Sequence, residues 1–219
     1  MIRRLSLPWP SETLRVERDG QPIRLLAVSD EQDPAFDFER NRADLPRVEA
    51  VIGAGDLEPD YLDFLANSFK APLFYVRGNH DRGANWAGLG ERLPEPLDAR
   101  PEKVGGVTIA GLSWPGELGE RALRDDRAAW RQAVSFFARR RLKSPVVMVS
   151  HVPPLGLGDT PEDLYHRGFA GYHWLCRRVQ PVLWLHGHTS MAAASDWRVA
   201  WGGTTLVNVT GAVLVNIGG

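Results

Sequence analysis

The feature that most constrains this chain is a set of five short apolar runs, each followed closely by an aspartate, asparagine or histidine. The runs read LLAV, VIGA, PLFYV, VVMVS and VLWL. The polar residues at their ends are Asp30, Asp56, Asn79 with His80, His151, and His186 with His188. Apolar runs of this length are typical of strands that are covered on both faces, as in the sheets of α/β proteins.

The shared position of these polar residues favours a common function. Each one taken alone is explained equally well as a cap or a turn residue. In open α/β sheets, however, ligand-binding residues collect at the carboxyl ends of the strands. Five strand ends of the same kind therefore predict one site at which these side chains meet.

The donor atoms of this set indicate the kind of ligand. Carboxylate, amide and imidazole groups suit Mn, Fe, Zn or Mg better than thiophilic metals. The chain has a single cysteine, Cys176, which excludes a thiolate site and an internal disulfide. Its place in the helix-like stretch GYHWLCRRV indicates a small buried side chain rather than a nucleophile.

Charge and hydropathy narrow the class of protein further. The formal net charge of -1 gives no field that would recruit nucleic acid or an acidic membrane. No apolar run approaches the ~20 residues that span a bilayer, and proline interrupts the N-terminal stretch where a signal peptide would lie. With its one cysteine, the chain is expected to be a single cytoplasmic domain over residues 1–219.

Turn and spacing signals predict the local structure between the strands. Asp19-Gly20 is a strong two-residue turn signal and predicts a hairpin over residues 14–29. We predict helices over residues 59–69, 120–143 and 168–180. The apolar face of the longest one is assigned to Trp130, Ala133, Val134 and Phe137.

The order of the motifs resembles that of the calcineurin-like metallophosphoesterases from about residue 23 to about residue 210. The family pattern is D-x-H, G-D, G-N-H-D/E, H and G-H-x-H. The corresponding residues here are Asp30-Glu31-Gln32, Gly55-Asp56, Gly78-Asn79-His80-Asp81, His151 and Gly187-His188-Thr189-Ser190. The resemblance implies an α/β fold, a four-layer α-β-β-α sandwich of two mixed β-sheets flanked by helices.

The resemblance also implies roles for individual residues. Asp56 corresponds to the carboxylate that bridges two metal ions, and Asp30 to a ligand of the first. The remaining ligands of the second metal correspond to Asn79, His151 and His188. His80 would assist the leaving oxygen, and Asp81 would orient the His80 imidazole. The metals expected are divalent, with Mn preferred over Fe, Zn or Mg; the family pattern implies two ions.

The departures from the pattern fall on one metal. Gln32 and Ser190 stand where the family has histidines, and both of those histidines belong to the first metal. The Gln32 carbonyl, or the carboxylates of Glu31 or Asp33, offer oxygen donors in their place, which would favour a harder ion such as Mn or Mg. The other interpretation is that the first site is weak or empty, so that one metal is bound.

His186 allows a second alignment of the chain with the G-H-x-H motif. His186 and His188 are two residues apart, and this pair itself has the spacing of the two histidines in G-H-x-H. The glycine of the motif precedes its first histidine, and Gly187 precedes His188. We therefore favour His188 as the ligand and a supporting or structural role for His186, for which ligation and core packing are about equally expected.

Two residues are candidates for contact with the substrate. Arg82 directly follows the G-N-H-D stretch and is suited to bind a phosphate bidentately, although a surface position in a turn is equally consistent. His166 precedes the helix predicted over residues 168–180, where an anion would meet a helix N-terminus; capping of that helix is the alternative.

The sequence alone is consistent with two functions. The first is a metal-dependent phosphoesterase that hydrolyses a small phosphomonoester or phosphodiester through metal-activated water, with nucleic acid left open as a substrate. The second is a catalytically impaired scaffold that keeps the fold for binding another protein. His80 favours the enzyme, whereas Gln32 and Ser190 favour the scaffold.

Overall fold

A computed structural model describes residues 2–83, 85–86, 93–98, 100–116, 123–139, 142–143, 145–190 and 196–219. Its strands are β1 (Arg3–Leu7), β2 (Ile23–Ser29), β3 (Ala50–Gly53), β4 (Leu73–Tyr75), β5 (Glu102–Val104), β6 (Val107–Leu112), β7 (Val146–Ser150), β8 (Leu183–His186), β9 (Arg198–Trp201), β10 (Thr204–Asn208) and β11 (Gly211–Ile217). Its helices are α1 (Glu12–Glu17), α2 (Glu39–Ala43), α3 (Pro59–Phe69), α4 (Asp126–Arg139) and α5 (Ala170–Val179), with a 3-10 turn at Pro34–Asp37.

The strands form two mixed sheets. The five-stranded sheet has the order β1-β11-β2-β3-β4, in which β2, β3 and β4 are parallel. The six-stranded sheet has the order β5-β6-β7-β8-β10-β9, in which β6, β7, β8 and β10 are parallel. Parallel neighbours place their carboxyl ends at the same edge of a sheet, so each sheet gathers several strand ends on one side.

Three apolar layers hold the sheets and helices together. The central layer lies between the sheets and contains Ala27 and Ile52 from one sheet with Val149 and Leu185 from the other. The outer layers place α3 against the five-stranded sheet and α4 with α5 against the six-stranded sheet. The predicted four-layer sandwich of two mixed sheets flanked by helices is confirmed.

The helices predicted over residues 59–69 and 168–180 are present as α3 and α5. Pro59 occupies the first turn of α3, where its missing N–H costs nothing. No helix in the described parts of the chain is long and apolar enough to cross a membrane.

The hairpin predicted around Asp19-Gly20 is wrong, because the residues before it form helix α1. The Ser11 side chain accepts a hydrogen bond from the Leu14 N–H and begins that helix. Asp19 and Gly20 do take positive φ angles, as the turn signal requires. These positive φ angles end the helix, because they allow the Gly20 N–H to donate to the Arg15 carbonyl, which is a helix-terminating hydrogen bond.

The apolar face predicted for α4 is also wrong in part, because Trp130, Val134 and Phe137 are exposed. The buried residues of α4 are Ala128, Ala129, Ala133 and Phe136. A Cβ at Gly171 of α5 would lie 3.1 Å from the Ala129 carbonyl oxygen. The two helices approach so closely there that only small side chains fit between them, and the larger ones point outward. Residues 120–122 and 140–141 of the predicted helix, and the Met1 terminus, lie outside the described residues.

Neighbouring phenylalanines on α4 provide a matched test of this packing. We expect Phe136→Ala to lower the free energy of unfolding by about 3 kcal/mol, because it opens a cavity in a buried layer. Phe137 is 44% exposed and packs edge-to-face with Trp174, so Phe137→Ala should cost about 1 kcal/mol or less. Urea unfolding of both variants measures the difference. Equal losses would contradict the assigned face.

Candidate metal centre

Strand ends from both sheets meet at this site. Asp30 follows β2 and Asp56 follows β3 in the five-stranded sheet, whereas His151 follows β7 in the six-stranded sheet. One potential ligand atom from each of these three residues lies within 4.8 Å of the other two. The packing of the two sheets thus brings together side chains that are about 120 residues apart in sequence.

His151 is held with one ring nitrogen facing Asp56. Its Nε2 lies 3.0 Å from Asp56 Oδ2, and its Nδ1 lies 2.9 Å from the Ala54 carbonyl oxygen. Because a carbonyl only accepts hydrogen bonds, the proton on Nδ1 points to Ala54, which is the usual arrangement of a metal-binding histidine. A lone pair on Nε2 would then face a carboxylate, so a proton or a cation must lie between them.

The site favours positive charge at this position. Burial alone would lower the pKa of His151, but the carboxylates of Asp56 and Asp30 outweigh it and raise that pKa to about 9. Burial alone would raise the pKa of Asp56, but the charge and hydrogen bond of His151, together with the His80 N–H, lower it. A divalent cation would satisfy the same electrostatic demand as the proton.

His188 presents a neutral imidazole to the same place. Its Nε2 lies 2.9 Å from the Tyr165 carbonyl oxygen and therefore carries the proton, while its Nδ1 lies 3.2 Å from His151 Nε2. Burial, and then the charge of His151, lower the pKa of His188 to about 3. An imidazole that stays neutral with its lone pair turned inward meets the requirement for a metal ligand.

Asn79 is a candidate for a fourth donor. Its side chain is almost fully buried, and its Oδ1 has no hydrogen-bond partner among the described residues. Its Nδ2 donates to the Tyr165 hydroxyl at 3.2 Å. A buried carbonyl oxygen without a partner costs about 1–3 kcal/mol, which a cation would relieve. Together with Asp56, His151 and His188, this oxygen would make a set of two oxygen and two nitrogen donors, which suits Mn, Fe or Zn.

The glycines of the motifs are required because ligand side chains pack against them. A Cβ at Gly78 would lie 2.1 Å from Asp56 Oδ1, and a Cβ at Gly55 would lie 2.6 Å from His151 Nδ1. Any larger residue at these two positions would displace a ligand. The G-D and G-N-H-D patterns thus have a steric cause in this structure.

Asp81 does not hold the His80 ring, contrary to the expectation from the motif. Its Oδ2 accepts hydrogen bonds from the backbone N–H of Gly78 at 2.6 Å and of Asp56 at 2.9 Å. Within the part of the chain that the structure covers, no hydrogen bond joins Asp81 to the His80 imidazole. Burial raises the pKa of Asp81 to about 6, and the Gly78 N–H partly opposes this rise. Asp81 fixes the turn that carries Asn79 and His80.

His80 lies at the rim of the site with its side chain exposed. Its backbone N–H donates to Asp56 Oδ1 at 2.7 Å, which places it next to the central carboxylate. Arg82 follows at a partly exposed position. The location is suited to contact with a molecule entering from solvent.

The donors on the Asp30 side are fewer. The Asp30 carboxylate accepts hydrogen bonds from the Ser29 hydroxyl, the Thr210 hydroxyl and the His188 N–H. Gln32 and Ser190, which replace the family's histidines, are both exposed. The carboxylate and imidazole cluster found in the described residues contains Asp30, Asp56 and His151 and no further group on this side.

Asp33 has a local structural use. Its Oδ1 accepts a hydrogen bond from the Ala35 N–H at 2.9 Å and so begins the 3-10 turn. Its own N–H donates to the Tyr61 hydroxyl at 3.2 Å. These bonds account for Asp33 without a metal.

His186 is buried at the end of β8, and it is not a member of the cluster of Asp30, Asp56 and His151 found in the described residues. Its Nδ1 is 3.2 Å from the Gly187 carbonyl oxygen, and a Cβ at Gly158 would meet its Nε2 at 2.9 Å. Burial lowers the pKa of His186 to about 4. These contacts describe a histidine packed in the core beside the site.

Tyr165 is a site residue that the sequence did not indicate. It contacts Asn79 through its hydroxyl and His188 through its carbonyl, and it lies in a segment without regular structure. His166, which the sequence indicates as a candidate for contact with the substrate, has its ring centroid 5.4 Å from that of His188. Its Nδ1 lies 2.5 Å from Asp163 Oδ2, so it is tied to the same segment rather than to helix α5.

Comparison with known proteins relates the chain to one family and to solved structures of similar fold. A family model described as calcineurin-like phosphoesterase matches residues 23–191. A Thermus thermophilus protein of known structure is 16% identical, with a TM-score of 0.54 over 87% of this chain and 90% of its own. A dimetal phosphatase from Danio rerio is 12% identical, with a TM-score of 0.55 over 86% of this chain and 87% of its own. No curated protein sequence matches the chain.

The lowered pKa of the buried His186 predicts that this residue destabilises the metal-free protein in acid. A histidine whose pKa falls from about 6.5 when unfolded to about 4 when folded contributes stability above pH 6.5 that is lost as the pH falls toward 4. At about pH 5, His186 should therefore cost the wild type about 2 kcal/mol relative to about pH 7.5. Urea unfolding of His186→Gln in EDTA should show a pH dependence smaller by that amount. The exposed His80→Gln is the control, and an unchanged pH dependence in His186→Gln would refute the assignment.

Proposed function

Because the chain belongs to the calcineurin-like phosphoesterases, whose family model matches residues 23–191, we propose that it is a divalent-metal-dependent hydrolase of phosphoric esters. The observation that carries the proposal is the convergence of lone pairs on one point. His188 Nδ1 and Asp56 Oδ2 lie 3.2 and 3.0 Å from His151 Nε2. Without a proton or a cation between them, these atoms would repel one another.

Mn is the ion we favour, with Fe, Zn and Mg as alternatives. A bound divalent ion lowers the pKa of coordinated water toward ~7 and offsets the charge of a phosphoryl group. Asp56, Asn79, His151 and His188 would hold the tight ion. Asp30 and the shared Asp56 offer only carboxylate oxygens to a second ion, which should bind more weakly.

Side chains of the protein would donate a proton to the leaving oxygen and hold the substrate in the site. His80 is placed to protonate the leaving oxygen, because its backbone is fixed to Asp56 while its ring is open to solvent. Asp81 keeps this turn in place through its two backbone hydrogen bonds. Arg82 and His166 are the candidates for contact with the non-reacting part of the substrate.

The substrate class we propose is a small phosphomonoester or phosphodiester. The name of the Danio rerio relative, a dimetal phosphatase, supports a phosphate ester, although its low identity to this chain relates the two by fold alone. The net charge of -1 gives no general attraction for nucleic acid.

The alternative is a scaffold that binds another protein and lacks turnover. The exposed positions of Gln32 and Ser190 favour it, because the first metal then depends on Asp30 and Asp56 alone. The exposed ring of His80 beside Asp56 favours the enzyme, since a scaffold has no use for a proton donor at that place.

Metal content and turnover measured together separate the two functions. We expect the Mn-loaded protein to hydrolyse p-nitrophenyl phosphate or bis-p-nitrophenyl phosphate. His188→Ala should lose both bound metal and turnover, because it removes one of four donors. The matched control Ser190→Ala, at an exposed residue two positions away, should keep both within about twofold. Metal binding without turnover in the wild type would favour the scaffold, and loss of metal in Ser190→Ala would refute the ligand assignment.

The role of His80 predicts a dependence on the leaving group. His80→Ala should lower kcat by about a hundredfold or more for an alkyl phosphate, whose alkoxide needs a proton. The effect should be smaller by at least about tenfold for p-nitrophenyl phosphate, whose leaving group is stable as an anion. Mn content, measured by mass spectrometry, should stay unchanged. Equal losses on both substrates would contradict a role in protonation.

A further inference from the structure

We propose that Tyr165 is a positioning residue that turns the metal-binding atoms of Asn79 and His188 toward His151 and Asp56. The inference rests on the proposed metal site, and it assigns a role to a residue outside the motifs of the chain. Tyr165 reaches the two ligands through two different groups, its hydroxyl and its backbone carbonyl.

The hydroxyl holds the NH2 end of the Asn79 amide. An asparagine can present either its oxygen or its NH2 group to a given point, and only the oxygen binds a cation. Asn79 Nδ2 donates to the Tyr165 hydroxyl at 3.2 Å, which leaves the buried Oδ1 without a partner among the described residues. Rotating the amide by half a turn would point its NH2 group at the metal, and the Tyr165 hydroxyl would then have to donate to Oδ1 instead of accepting from Nδ2.

The backbone carbonyl determines the tautomer of His188. Its oxygen lies 2.9 Å from His188 Nε2, so the ring proton is held there and Nδ1 remains free to bind. The Tyr165 ring also packs on His188, with centroids 5.7 Å apart at an angle of 34°. This contact restricts rotation of the imidazole away from His151.

Hydrogen bonds within the surrounding segment hold Tyr165 in this place. The Tyr165 N–H donates to Asp163 Oδ1 at 2.9 Å. The Gly168 N–H donates to Asp159 Oδ2 at 2.8 Å and closes the segment on itself. Arg124 then joins the segment to the N-terminal end of α4, because its guanidinium donates to the Gly168 carbonyl at 2.8 Å and pairs with Asp126.

The side chain of Tyr165 contributes little to the core. It is 50% exposed, in contrast to the buried ligands that it contacts. Removal of its hydroxyl should therefore leave the fold unchanged, and a change in metal binding can be attributed to the site.

The test is Mn affinity, measured by calorimetry, of the wild type and of Tyr165→Phe. We expect Tyr165→Phe to weaken binding by about tenfold, as is usual when a residue that orients a metal ligand is lost. The neighbouring Leu164→Ala, at a residue 73% exposed, is the control and should bind as the wild type does. The thermal unfolding midpoint of the metal-free variants should not change.

A double-mutant test separates an effect of Tyr165 through Asn79 from a general effect of Tyr165 on the site. Asn79→Ala removes the amide that the hydroxyl holds, so Tyr165 has no side chain left to position there. Adding Tyr165→Phe to Asn79→Ala should change the affinity by about twofold or less. An effect of about tenfold in this background would overturn the inference, as would equal affinities of Tyr165→Phe and the wild type. A wild type that binds no Mn would overturn the proposed function as well.

Discussion

The contact between Asp56 and His151 is the interaction on which the rest of the site depends. Asp56 follows a strand of the five-stranded sheet and His151 a strand of the six-stranded sheet, and their side chains lie 3.0 Å apart. The apolar layer between the sheets sets this distance, because it fixes how closely the two sets of strand ends approach. Gly55 and Gly78 leave the room that the approach requires. The packed core thus holds Asp56 and His151 so close together that the site favours a proton or a cation between them.

The backbone at the site departs from ordinary geometry in a consistent way. Asp30, Asp56 and His188 all have φ angles between 56° and 66°, in the left-handed region that costs a non-glycine residue about 1–2 kcal/mol. Such conformations persist only where the surroundings determine them. Here the strands that precede these residues are buried except for Arg24 in β2, and the burial of those strands offsets the strain. Strain at three candidate ligands supports a functional origin for this geometry.

The apolar runs predicted buried strands with polar residues at their ends, whereas the two sheets and the four layers were implied by the resemblance of the motifs to the calcineurin-like family. The sequence did not predict α1, because an Asp-Gly pair with positive φ can end a helix as readily as it joins two strands. It assigned part of the wrong face to α4, since the close approach of Gly171 is a tertiary effect. Tyr165 was missed because its hydroxyl meets Asn79 across 86 residues, with no local pattern to mark it.

Anomalous diffraction from crystals of the Mn-loaded protein would test the central claim most directly. We expect the strongest peak to lie among the Asp56 carboxylate, Asn79 Oδ1, His151 Nε2 and His188 Nδ1, with a weaker peak or none beside Asp30. A strongest peak at His186, or one bounded by Gln32 and Ser190, would contradict this assignment of the ligands. The absence of any peak at a saturating concentration of Mn would contradict the metal centre itself.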